Sequence, residues 1–126
     1  MKLAKMSLLI PMLAMAPAVA QAGSKCTSPV TVDSTNRWAR GALGTARNSS
    51  DVTQGLSCTA YSYGYVYCYA RDAAGYSVSC GTSDPTYINT LQTLTSDSYI
   101  YFAFDSAGTC TSLVVEAMSC LDPKGP

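Results

Sequence analysis

The chain contains no histidine, and its one glutamate is Glu116. Histidine is the side chain whose ordinary pKa lies nearest neutral pH, so its absence removes the usual general base and the Ser-His-Asp arrangement. It also removes the commonest nitrogen ligand for zinc. No serine stands in a G-x-S-x-G motif, and phosphate-cradling glycine loops and calcium-loop spacings are missing too. Charge is scarce, at 13% of residues. Beyond residue 22 six basic residues face eight acidic ones, a weakly acidic balance with no electrostatic claim on nucleic acid or an anionic membrane. No apolar stretch after residue 22 approaches the roughly 20 residues that span a bilayer. Large apolar side chains are few, with two phenylalanines and one tryptophan in the whole sequence. A core built from so little needs reinforcement.

Residues 1–22, MKLAKMSLLIPMLAMAPAVAQA, have the features of a secretory signal peptide: two lysines, an apolar run from Leu8, and small residues where cleavage would fall. Cleavage after Ala20 or Ala22 fits, and residues 23–126 then form a single small domain. The expected location is secreted or periplasmic. All six cysteines, Cys26, Cys58, Cys68, Cys80, Cys110 and Cys120, lie in that part. An even set in a short exported chain predicts three disulfide bonds. A metal site would want close cysteine pairs with histidine, so neither metal nor cofactor is expected. Cys58 and Cys68 flank one turn, and Cys68 and Cys80 flank the next. Directly facing strand positions are awkward for a disulfide, and Cys68–Cys80 is the slightly favoured pair, with Cys26 bonded to Cys58 or Cys120.

Alternation of apolar and polar residues gives most of the secondary structure. Strands are predicted over 56–62, 65–71 and 76–80, over 98–105, and within 109–120, with a short edge strand around Val30 and Val32. Asp72–Gly75 and Ser106–Gly108 read as turns, and YCYARDAAG and IYFAFDSAG share an aromatic strand ending in D-x-A-G. Asp84 is a fit N-cap ahead of Pro85, and Ile88, Leu91 and Leu94 form an apolar stripe, so a helix is expected over about 85–95. Residues 37–55 are ambiguous between a helix begun at Trp38 and a strand over 42–47. The expected fold is α+β: one antiparallel sheet of five to six strands, with the helix packed on one face.

Parity then separates two faces. Even positions such as Val66, Cys68, Ala70, Ile100, Phe102 and Phe104 have core character. Odd positions carry Tyr61, Tyr65, Tyr67, Tyr69, Tyr99 and Tyr101. If the strands at 65–71 and 98–105 are neighbours, Tyr65, Tyr67, Tyr69, Tyr99 and Tyr101 make one tyrosine ladder, the candidate binding face. Rigid amphipathic rings suit recognition of another protein, a glycan or a second copy of the chain, and tyrosine also simply stabilises sheets. The sequence therefore favours an exported, non-catalytic protein-binding module, for example an inhibitor, an immunity-type factor or a small adhesive module. The alternative is a structural subunit of an extracellular fibre or matrix. A hydrolase using carboxylates is a more remote reading. Glu116, the one acid inside a predicted strand, is expected in an internal ion pair with an arginine.

Overall fold

The computed structural model describes residues 23–121. The predicted signal peptide and the last five residues lie outside them. The elements run β1 (Thr31–Asp33), β2 (Trp38–Ala42), α1 (Leu43–Arg47), β3 (Gly55–Tyr61), β4 (Tyr65–Arg71), β5 (Ser77–Thr82), α2 (Pro85–Leu91), β6 (Tyr99–Phe104) and β7 (Cys110–Glu116). They form two antiparallel sheets, a four-stranded one in the order β1-β2-β6-β7 and a three-stranded one in the order β3-β4-β5. The domain is α+β, but the single sheet expected from the sequence is two. The meander over β3-β4-β5 is local and stands as predicted. The pairing of β2 with β6 joins residues some sixty positions apart, and alternation within a strand carries no information about such a partner.

Two sheets follow from burial. Val66, Cys68 and Ala70 of β4 and Ile100 and Phe102 of β6 are all fully buried, and they belong to one apolar cluster. Each sheet has one face that must leave water, and each covers the other's. α2 is too short to cover a sheet alone. It packs instead against β3, β4 and β7, and so bridges the two layers. Its start is as predicted: the Asp84 side chain accepts from the Thr86 N–H at 2.9 Å, with Pro85 in the first turn. Its end comes at Leu91, earlier than the expected 95, although Leu94 still packs on the core from the following turn.

The ambiguous segment holds both alternatives, each over the other's residues: strand β2 from Trp38 and helix α1 from Leu43. β2 carries Gly41 because Val30 crosses beside it. A Cβ on Gly41 would stand 3.0 Å from the Val30 Cα. The predicted edge strand is β1, paired with β2.

The disulfides are Cys26–Cys120, Cys58–Cys68 and Cys80–Cys110. Cys26–Cys120 is one of the two expected options for Cys26. The favoured Cys68–Cys80 pair is not formed, although Cys68 faces Cys80 directly in the β4–β5 register. Cys68 faces Cys58 just as directly and bonds to it across the β3–β4 hairpin. Cys80 is thereby released to reach Cys110, tying the three-stranded sheet to the four-stranded one. The two D-x-A-G turns share one construction. Asp72 accepts from the Tyr76 N–H and Asp105 from the Thr109 N–H, each four residues on, and Gly75 and Gly108 take positive φ.

Candidate functional site

Strand register sets out the outward face of the three-stranded sheet row by row. Tyr61 faces Tyr65, Thr59 faces Tyr67, and Ser57 faces Tyr69. On the other side Tyr67 faces Gly81 and Tyr69 faces Ser79. The result is a central tyrosine stripe flanked by hydroxyls and glycine, and among the described strand residues of this face Arg71 is the only charged one. Glycine beside the stripe has a packing reason. A methyl group on Gly81 would collide with the Tyr65 phenol, and Tyr69 lies over Gly55. The rings cover the strand where side chains are missing, a use of aromatic residues that stabilises sheets.

The stripe continues past the strand end into the hairpin. Tyr63, in the turn, stacks on Tyr61 with ring centroids 5.2 Å apart and on Tyr65 at 6.3 Å. Tyr63 is 74% exposed and Tyr61 40%, whereas Tyr65, Tyr67 and Tyr69 are half-buried. Tyr61, Tyr63 and Tyr65 thus form a three-ring platform whose outermost member stands clear in solvent. Tyr63 lies outside the ladder expected from the strands, and it is the most exposed ring of the cluster. The signal for it was in the sequence, since the odd-position tyrosines run unbroken from 61 to 69.

Tyr99 and Tyr101 do not belong to this surface. β4 and β6 lie in different sheets and are not neighbours. The expected single ladder is therefore divided, because both strands bury their even faces in the common core and turn their tyrosines away from it. Tyr101 stacks on Trp38 at 6.3 Å, and the Arg40 guanidinium lies 5.3 Å from the Trp38 ring centroid. This second outward face holds exposed Arg40, Val114 and Glu116 around half-buried rings. Sequence reading missed Trp38 and Arg40 as its members because β2 was not recognised as a strand.

The carboxylates are occupied locally. Asp33 accepts from the Asn36 backbone and side chain, which lowers its pKa. Asp51 accepts from the Gln54 N–H at 2.7 Å, the Gln54 amide and the Thr53 N–H, and these bonds hold it well below the usual carboxylate range. Asp72, Asp84 and Asp105 close turns or cap α2, as expected. Asp97 lies 3.7 Å from Arg47. Glu116 is exposed at the end of β7, not in the internal ion pair expected for it. Among the described residues no group of three or more His, Cys, Asp or Glu gathers as a metal site, no cysteine is free, and no helix is long and apolar enough to cross a membrane.

Comparison with protein-family models, with curated proteins and with solved structures found no match.

Proposed function

We propose that the chain is an exported, non-catalytic binding protein, acting in a secreted or periplasmic setting through the tyrosine face of its three-stranded sheet. The observation that carries this reading is the Tyr61-Tyr63-Tyr65 platform, continuous with Tyr67 and Tyr69 and bordered by Ser57, Thr59 and Ser79. Stacked rings lose little conformational freedom on binding and offer broad apolar area together with phenolic hydrogen bonds. With Arg71 as the one charged strand residue of that face, recognition rests on stacking and hydroxyl contacts, which suits an aromatic or hydroxyl-rich patch on another protein. Six oxidised cysteines fit an oxidising compartment.

A panel of extracytoplasmic proteins and immobilised oligosaccharides, probed with wild type and with Tyr63→Ser/Tyr67→Ser, tests the reading. Wild type is expected to bind a protein, and the double variant to keep its near-UV circular dichroism while losing at least roughly thirtyfold in affinity, about 2 kcal/mol. Full retention by that variant, with loss in Tyr101→Ser, would move the function to the other sheet. Binding confined to oligosaccharides would change the partner class.

The fibre-subunit reading keeps one supporting observation, the edge strands of the two sheets, β1 and β7 in one and β3 and β5 in the other. The segment from Cys26 to Val30 is held within its own chain. Cys26 is bonded to Cys120, its N–H donates to the Cys120 carbonyl, and Val30 is buried beside Gly41.

A further inference from the structure

β3 is an edge strand of seven residues, G-L-S-C-T-A-Y, with no charge and no proline. Edge strands commonly carry such residues to prevent pairing with another chain, and this one lacks them. Ser57, Thr59, Ala60 and Tyr61 are exposed along it, while α1 lies against its start. Which backbone groups face outward follows from the register. Cys58 and Cys68 are opposed with Cα atoms 4.1 Å apart. That is the close spacing of antiparallel residues that do not bond to each other's backbone, about 4.5 Å against about 5.5 Å for bonded pairs. The N–H and C=O of Cys58 therefore point away from β4, and by the two-residue period so do those of Leu56 and Ala60. None of these groups takes part in a turn, loop or cap bond among the described residues.

We propose that this edge receives a second copy of the same chain, with β3 pairing antiparallel to its equivalent about a two-fold axis at Cys58. Centred there, every outward N–H and C=O of Leu56, Cys58 and Ala60 meets a partner in the other copy. The side chains match as well. Leu56 faces Ala60 of the second copy on the inner side, and Ser57 faces Thr59 on the outer side. Gly55 faces Tyr61, repeating the glycine-under-tyrosine packing that Tyr65 and Gly81 already show. Shifting the centre by half a residue sets these groups opposite ones already used by β4. Shifting it by a whole residue keeps the bonding phase but strands one end of each β3. The same patch meets itself, so the contact closes as a dimer and does not extend into a filament. A continuous sheet of both copies would carry their two tyrosine stripes on one surface. The pairing does not depend on what that surface binds, because its readout is mass.

Sedimentation equilibrium of the oxidised protein, across a concentration series, tests the dimer. Wild type is expected to fit a monomer–dimer equilibrium. Ser57→Lys/Thr59→Lys sets lysine opposite lysine and is expected to weaken it at least tenfold. Ser57→Lys/Thr59→Glu sets lysine opposite glutamate in the same register and is expected to restore it. A monomer at every concentration, growth beyond a dimer, or a dimer indifferent to both variants would overturn the proposal. Loss in both variants would overturn the register at Cys58. Hydrogen exchange on wild type keeps the test decisive if a variant does not fold: the Leu56, Cys58 and Ala60 amides should gain protection as concentration rises, and unchanged exchange there would also overturn it.

Discussion

Phe102 is the largest of the fully buried side chains, at the centre of β6 where the two sheets meet. Its removal leaves a cavity that neighbours anchored by strand bonds and cystines cannot close. Phe102→Ala is therefore expected to cost about 3–5 kcal/mol. Tyr67 lies half-buried on an outward face, with Thr59 and Gly81 beside it, so Tyr67→Ala should be milder. Thermal melts of the two variants decide the order, and the reverse order would mean that the tyrosines form the core. The same contrast was legible in the sequence through parity alone. What parity does not carry is the identity of the neighbour, which is why Tyr101 was grouped with Tyr67 when its ring in fact stacks on Trp38.

At the scale of elements, alternation marked β3, β4, β5 and β6, and the Asp84-Pro85 pair marked the start of α2. The segment from Trp38 to Arg47 was opaque because its small residues suit both states. Gly41 weakens any local preference and is explained only by Val30, a contact from outside the segment. The loop between α1 and β3 is organised by one carboxylate. Asp51 bonds the Gln54 and Thr53 N–H groups and the Gln54 amide, while the Gln54 side-chain carbonyl accepts from Val30 N–H at 2.8 Å. These bonds favour the ionised form, led by that from the Gln54 backbone. The stabilisation is therefore complete above the unfolded carboxylate pKa, near about 4, and is lost as pH falls from there towards the lower folded value. The melting temperature of wild type should drop more steeply below about pH 4 than that of Asp51→Asn. Parallel curves would remove Asp51 from the acid response.

Over the whole molecule, the division into two sheets governs everything else. It gives Cys80–Cys110 its role as the tie between layers and α2 its place against strands of both. It also turns one expected ladder into two separate aromatic faces. Cystine pairing was not legible because Cys68 has a cysteine directly opposite on either side. The choice between them depends on Cys110, which the chain brings near only after α2 and β6 have been laid down. The proposed function places a partner on the tyrosine face of the three-stranded sheet and not on the Trp38–Tyr101 face. Tyrosine-selective chemical footprinting, with and without the partner protein captured by wild type, tests this most directly. Protection of Tyr63 and Tyr61, the exposed members of the platform, is expected, with Tyr99 and Tyr101 unchanged. Protection of Tyr99 and Tyr101 with Tyr63 still fully reactive would contradict it.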